Sequence, residues 1–241
     1  MSRGSLYVWL CLSTSAVAFL GFSFTYFGPM FAGVYPQSPP VVHLHGWAFF
    51  LWYLLLPCQA GLIASRRVAT HRALGKSSVA LATVMVTTGM VVIGTQMELT
   101  RQNATIPFWG LLGPAVFVTL LLFAGFYSLA LRFRRKAAFH KRFMLLASTG
   151  ALGAAAFRVV GYVIGFGAMA GIAGILAPNL IVLVAVGVEV RRGEGMHPVY
   201  RWGLPISVLL EGATILLTPT PGGQAAAAGL AWMGRVLAPF Y

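Results

Sequence analysis

Long runs of apolar residues divide this chain into segments, and they constrain its fold more than any other feature. Each run is close to the roughly 20 residues that a helix needs to cross the hydrocarbon core of a bilayer. In hydrocarbon only helices and closed barrels satisfy the backbone, and runs this continuous are typical of helices. We therefore predict an all-α, polytopic membrane protein, a single bundle domain over residues 1–241. The seven predicted transmembrane helices cover approximately residues 6–26, 41–65, 77–97, 108–131, 143–165, 172–190 and 203–218.

The composition excludes an ordinary water-soluble domain. Only 9% of the residues are charged and 59% are hydrophobic, whereas a soluble domain carries about 25% charged residues. The formal net charge of +13 raises the question of nucleic acid. The basic residues, however, lie in tight clusters between the apolar runs, as membrane-flanking charges do, so we expect membrane lipids and no nucleic acid as partners. The first run lacks a cleavage site, which favours a retained first helix over a signal peptide.

The distribution of Lys and Arg predicts the orientation. Of the 17 basic residues, 14 fall on one side of the seven predicted helices. Because basic loops stay in the cytoplasm, we expect the N-terminus inside and the C-terminus outside, in the inner membrane of a bacterium. The 14 residues are Arg3, Arg66, Arg67, Arg72, Lys76, Arg132, Arg134, Arg135, Lys136, Lys141, Arg142, Arg191, Arg192 and Arg201.

The three predicted cytoplasmic loops share a pattern, in which a basic pair is followed by a histidine and then by the next helix. The histidines are His71, His140 and His197. True repetition would make the protein one helix followed by three similar hairpins, although membrane-surface loops favour the same residue types. Convergence of the three imidazoles on one metal is an alternative, but the surrounding Arg and Lys disfavour a cation. We expect structural roles in helix capping and loop packing.

The chain ends in an Ala-rich segment. Pro219, Pro221 and two glycines end the last predicted helix, and residues 224–239 are again apolar. At about 1.5 Å per residue, this run is short for a crossing. We interpret 219–241 as an outer-face tail whose helix lies in the membrane interface or docks on a partner. An eighth transmembrane helix is the alternative.

Arg158 is the most informative single residue, because it lies deep inside the fifth predicted helix. A charged side chain at such depth is costly unless it is paired, and it marks a functional site by default. Glu211, the one carboxylate well inside a predicted helix, is the natural partner for an ion pair. The alternative is that Arg158 binds the carboxylate or phosphate of a ligand. Asn179 follows Pro178 at a similar depth and is a candidate neighbour of Arg158.

His43 and His45 open the second predicted helix at the outer face. Residues two apart on a regular helix point in different directions, so both can bind one metal only if the segment after Pro39-Pro40 is extended. Imidazoles are the commonest protein ligands for haem iron, copper and zinc. The pair is therefore a candidate site for haem or a transition metal, and hydrogen bonding to lipid headgroups is the alternative.

Two motifs resemble those of bacterial membrane protein families of unknown function. His140-Lys-Arg-Phe-Met144 with Arg158 eighteen residues after the histidine is similar to their H-R-R-x-M loop and the following Leu-Arg. His71-Arg-Ala-Leu-Gly75 resembles their H-R-x-L-G, and His43 matches a histidine that opens the preceding helix. Phe157 stands where the families have Leu, and the Tyr that follows their H-R-R-x-M run is missing. The likeness covers residues 40–165 and implies a helical bundle of unassigned activity.

No Walker loop, nucleophile elbow, paired carboxylates, H-E-x-x-H or C-x-x-C occurs in the sequence. Three functional hypotheses remain. The first is a small haem- or metal-binding membrane component that uses the outer-face histidines and Arg158. The second is binding or transport of a small amphipathic anion, such as a lipid or a quinone-like molecule. The third is a non-catalytic subunit of a larger membrane complex.

The predicted orientation can be tested by labelling single cysteines with a membrane-impermeant maleimide, after Cys11 and Cys58 are replaced by alanine. We expect Asn103→Cys to react in intact cells and Arg134→Cys to react only after lysis, because basic loops are retained in the cytoplasm. Labelling of Arg134→Cys in intact cells would reverse the arrangement.

Overall fold

The computed structural model describes residues 3–103 and 107–241, and in this part of the chain all regular structure is helical. The predicted all-α fold is therefore confirmed for the described residues. A single π-helical turn, Ser23–Phe27, follows the first helix, and a 3-10 turn, Ala238–Phe240, ends the chain. The α-helices are α1 (Arg3–Phe22), α2 (Gly28–Phe31), α3 (Pro40–Ala64), α4 (Val68–Gly75), α5 (Ser77–Gln102), α6 (Pro107–Arg132), α7 (Ala137–Gly150), α8 (Gly153–Ile164), α9 (Ala168–Leu176), α10 (Asn179–Arg191), α11 (Pro198–Leu217) and α12 (Pro221–Leu237).

Several of these helices are long and apolar enough to cross a membrane. Five helical segments meet this requirement, and the number rises to seven if each of two bent helix pairs forms one crossing. The bent pairs are α7–α8, with an angle of 52°, and α11–α12, with an angle of 98°. The first pair coincides with the fifth predicted helix, which is therefore broken. The second pair joins the seventh predicted helix, which is continuous in α11, to the predicted tail. The five segments are Ser5–Phe31, Pro40–Ala64, Val68–Gln102, Trp109–Arg132 and Ala168–Arg191.

The break between α7 and α8 has no proline. It falls at Ala151 and Leu152, between Gly150 and Gly153, in a segment of small residues. Glycine has a low helix propensity, so such a segment interrupts a helix at little cost. The prolines at 57, 114 and 205 instead lie inside continuous helices, whereas Pro178 lies at the junction of α9 and α10, and Pro219 and Pro221 lie at that of α11 and α12.

The centre of the bundle is an aromatic cluster on α3. Trp52 and Tyr53 are only 1% and 2% exposed. The Trp52 indole donates to the Ser148 hydroxyl at 3.2 Å, and the Tyr53 hydroxyl donates to the Ser148 carbonyl at 2.8 Å. Trp52 also packs edge-on against Phe123 of α6, with ring centroids 5.0 Å apart. These contacts join α3, α6 and α7, and they satisfy the polar atoms of two large buried side chains.

Helix α8 lies close to its neighbours because small residues line its contacts. A Cβ atom on Gly21 of α1 would overlap the backbone of Ala155, and one on Gly174 of α9 would overlap the backbone of Phe157. Small residues permit such close approach where no hydrophobic force draws helices together in lipid. The glycines at these contacts therefore let α1 and α9 pack closely against α8.

Helix α12 turns back onto its own chain. The backbone of Gly234 on α12 is in direct contact with that of Gly94 on α5. Leu230 and Ala231 of α12 pack against buried residues of α5. One Arg235 nitrogen lies 2.9 Å from the Glu98 carboxylate. Because α12 counts towards a membrane crossing only together with α11, the structure does not support the eighth-helix alternative. One face of α12 therefore packs on α5 of the same chain.

The glycine contact between α5 and α12 leads to a stability prediction. We expect Gly234→Ala to lower the unfolding free energy by about 1–3 kcal/mol, because the new methyl group overlaps the α5 backbone. Gly229→Ala on the same helix is the matched control, since a Cβ there has no atom within 4 Å; its higher helix propensity should stabilise the helix by up to about 1 kcal/mol. Thermal unfolding in detergent measures both, and equal melting temperatures would contradict the close packing.

Candidate functional site

A cavity of about 360 Å³ lies between α1, the π-helical turn, α3, α5, α6 and α8. Aromatic side chains form much of its wall: Phe19, Phe22, Phe27, Phe49, Phe50 and Trp109. Arg158 and His45, both singled out by the sequence, line this same cavity. Ligand sites typically combine an apolar wall with a few convergent polar groups, and this cavity has that character.

The guanidinium of Arg158 is held by neutral groups. Its Nε donates to Thr25 Oγ1 at 2.9 Å, and one terminal nitrogen donates to the Ala154 carbonyl at 2.7 Å. The guanidinium carbon lies 4.6 Å from the centre of the Phe22 ring. Within residues 3–103 and 107–241, no carboxylate forms an ion pair with Arg158. The expected ion pair with Glu211 is therefore not formed.

The π-helical turn positions Thr25. Widening of one helical turn at Ser23–Phe27 directs Thr25, Tyr26 and Phe27 to the cavity. The Thr25 hydroxyl donates to the Gly21 carbonyl at 3.3 Å. Its lone pairs are consequently free to accept from Arg158. Single π-helical turns occur frequently at functional sites, in agreement with this placement.

The hydrogen bonds of Thr88 determine the tautomer of His45. The Thr88 hydroxyl donates its one hydrogen to the Val84 carbonyl at 2.6 Å. It must then accept from His45, whose Nδ1 lies 3.0 Å away. We infer that His45 carries its proton on Nδ1, so the lone pair on Nε2 is available to a ligand. The cavity thus offers the donors of Arg158 and an acceptor on His45.

His43 does not share the environment of His45. Helix α3 already begins at Pro40, so the extended segment that would let both rings face one metal is absent. The Nδ1 of His43 lies 2.9 Å from the Tyr26 hydroxyl, whereas that of His45 faces Thr88. No group of three or more His, Cys, Asp or Glu side chains in the described residues is arranged to hold a metal ion.

Asn179 and Glu211 form a separate polar pair. The Asn179 amide donates to Glu211 at 2.7 Å and to the Leu176 carbonyl at 3.2 Å. Glu211 is only 1% exposed. Neither residue lines the cavity of Arg158. Asn179 therefore binds the carboxylate that the sequence assigned to Arg158, instead of joining Arg158 and His45.

The sequence reasoning missed a second buried arginine. Arg142 was assigned to a basic loop, but α7 begins at Ala137 and Arg142 is only 5% exposed. Its terminal nitrogen lies 2.9 Å from the carboxylate of Glu189 on α10, which also accepts from the Tyr7 hydroxyl at 2.9 Å. The Tyr200 hydroxyl lies 2.9 Å from that of Tyr7. An ion pair with two tyrosines thus joins α1, α7, α10 and α11.

Each loop histidine has a partner within the chain. His140 Nδ1 donates to the Ala130 carbonyl at 2.9 Å, and the rings of His140 and His71 are 6.3 Å apart. The Gln59 side-chain amide lies 2.6 Å from His71 Nδ1, and its nitrogen donates to that atom in the amide orientation that satisfies both ends of the group. His197 caps α11 by accepting from the Val199 amide at 3.2 Å. Burial lowers the pKa of His197, and the charge of Arg142 lowers it further, so a neutral capping imidazole is favoured.

Comparison with models of known protein families, with curated proteins and with solved structures gives no match for this chain.

The Arg142–Glu189 pair leads to a prediction about stability. Removal of one partner leaves an uncompensated buried charge, so we expect Arg142→Met or Glu189→Met alone to cost about 3–5 kcal/mol. The double variant should be more stable than either single variant, and a double-mutant cycle of unfolding free energies measures the coupling.

The matched control for this cycle is Arg101→Met. Arg101 pairs with Glu98, but its side chain is 54% exposed, so its loss should destabilise the protein far less than the loss of Arg142. Equal losses for Arg101→Met and Arg142→Met would show that burial does not govern the strength of these pairs.

Proposed function

We propose that this chain is a seven-span protein of the bacterial inner membrane, with a cytoplasmic N-terminus, whose cavity binds a small amphipathic anion. The observation that carries the proposal is the environment of Arg158, which faces the cavity with neutral partners only. The number of spans follows if each bent helix pair makes one crossing. The orientation follows from the basic loops.

The charge balance around Arg158 favours an anionic ligand. A cation in an apolar interior is costly unless a countercharge is near. Arg142 and Arg158 differ in this respect: Arg142 has Glu189, whereas the contacts of Arg158 are a hydroxyl, a carbonyl and an aromatic ring. A ligand carboxylate or phosphate would supply the missing negative charge, and the planar guanidinium suits such groups by its fork of donors.

The rest of the cavity favours an apolar body on the ligand. Ten Phe, Tyr and Trp side chains line it. Its volume of about 360 Å³ lies near the lower end of the range of roughly 300–1,000 Å³ for small-molecule sites. The Nε2 of His45 would accept a hydrogen bond from a hydroxyl on the ligand. A small amphiphile with one anionic head satisfies both features.

Binding of radiolabelled dodecanoate to the protein in nanodiscs tests the proposal. We expect Arg158→Met to weaken binding roughly 10- to 100-fold, since a hydrogen bond to a charged group contributes about 1.5–3 kcal/mol. Arg158→Lys should retain part of the affinity because it keeps the charge. Arg101→Met, which removes an exposed arginine, is the control and should bind as the wild type does. Unchanged affinity in Arg158→Met would refute the proposal.

Haem or metal binding is a second candidate, favoured by the tautomer of His45. A histidine that binds metal usually donates its other ring N–H to a neighbouring acceptor, and His45 has this arrangement with Thr88. Of His43 and His45, only His45 lines the cavity.

A visible absorption spectrum of the purified protein tests this second candidate. We expect a Soret band, or bound copper or zinc, to be lost in His45→Ala and retained in His43→Ala if the group is held through Nε2 of His45. A colourless, metal-free protein after expression with added haem precursor and metals would eliminate the candidate.

A further inference from the structure

Glu211 lies inside α11 without a countercharge. The residue is only 1% exposed, and one of its carboxyl oxygens accepts from the side-chain amide of Asn179 at 2.7 Å. Within residues 3–103 and 107–241, no Lys, Arg or His forms an ion pair with it. Because Glu211 and Asn179 lie outside the cavity of Arg158, the proposed function does not use them.

The other three glutamates of the chain have a different environment. Glu189 pairs with Arg142, and Glu98 pairs with two arginines. Glu194 is exposed in the loop before α11. Glu211 therefore stands apart as a buried glutamate to which the described part of the chain gives no positive charge.

The neighbouring helices bring no charged side chain to the level of Glu211. Those that pack most against α11 are α6, α7, α9, α10 and α12. Helix α9 has no charged or titratable residue, and Arg235 of α12 binds Glu98. The other charged or titratable residues of these helices and of α11 lie towards the end at which α11 begins. They are Tyr127, Arg132, His140, Lys141, Arg142, Glu189, Arg191, Tyr200 and Arg201. Along α11 the nearest precedes Glu211 by about 15 Å, at 1.5 Å per residue.

The surroundings of Glu211 are otherwise apolar. Ile215, one helical turn further along α11, packs with Leu112 and Ala115 of α6 and with Ile175 of α9. An ionised carboxylate with one neutral donor is costly in such an interior, because nothing balances its charge. A protonated carboxyl group is neutral and avoids this cost.

We propose that Glu211 is a proton-binding site, whose side chain is a carboxylic acid at neutral pH. Since Asn179 donates to Oε2, Oε2 is the carbonyl oxygen of the acid and Oε1 holds the proton. Asn179 also donates to the Leu176 carbonyl at 3.2 Å, and so it joins the acid to the junction of α9 and α10. Breaks within a transmembrane segment hold coupling ions, protons among them, in secondary transporters. The bundle thus has a proton site that is separate from the anion site at Arg158.

Infrared spectroscopy of the purified protein tests the proposal, because a protonated carboxyl group has a C=O stretching band apart from those of carboxylates and amides. The chain suits this measurement, since it has no Asp and only four Glu. Dodecyl maltoside is the detergent of choice because it has no ester or carboxyl group. We expect an acid band at neutral pH and its complete loss in Glu211→Gln.

Glu98→Gln is the matched control. Glu98 is also buried, at 7% exposed, but its arginine partners keep it ionised, so this variant should retain the acid band unchanged. If circular dichroism shows that Glu211→Gln does not fold, Glu211→Asp replaces it and should show the acid band at a shifted frequency.

Three outcomes would overturn the proposal. The first is a wild-type protein without an acid band, which is also the result expected if Glu211 is ionised and holds a sodium ion. The second is survival of the band in folded Glu211→Gln. The third is an unshifted band in Glu211→Asp.

Discussion

The absence of hydrogen-bond partners in hydrocarbon is the constraint on which the rest of this structure depends. Buried polar side chains need partners within the bundle, and many of the short hydroxyl side chains bond to a carbonyl three or four residues earlier on their own helix. Thr25 and Thr88 both follow this rule. Because each uses its hydrogen on its own helix, each offers lone pairs to a side chain that lines the cavity. Those lone pairs accept from Arg158 and His45. Hydrogen bonds within the helices thus determine which groups of Arg158 and His45 are left for a ligand.

The two arginines inside the bundle illustrate two solutions to the same problem. Arg142 is neutralised by Glu189, and two tyrosine hydroxyls complete that network. It is closed, with its charges matched inside the chain, and it binds four helices together. Arg158 has two hydrogen-bond partners and an aromatic neighbour but no countercharge in the described part of the chain. The physical difference between a structural arginine and a ligand-binding arginine lies in this charge balance rather than in depth.

Small residues place Arg158 where it can act. Gly21 allows α8 to approach α1 at Ala155, one turn before Arg158, and the π-helical turn that follows α1 then brings Thr25 to the guanidinium. The bend between α7 and α8 directs α8 along α1. Larger side chains at Gly21 or Ala155 would separate the two helices, so the site depends on packing several residues away from its polar groups.

The sequence by itself determined the membrane environment, the helical fold and most helix positions, because hydropathy and length are local properties that lipid enforces on each segment separately. It also singled out Arg158 and His45, since polar residues in apolar runs are visible without a structure. The pairings were decided only by the tertiary structure. Glu211 was expected beside Arg158 but binds Asn179, and Arg142 was assigned to a loop but lies in a buried ion pair. Depth along a helix can be counted from sequence, whereas the direction of a side chain and the neighbour it meets depend on helix rotation, bends and packing, which arise from all the helices together.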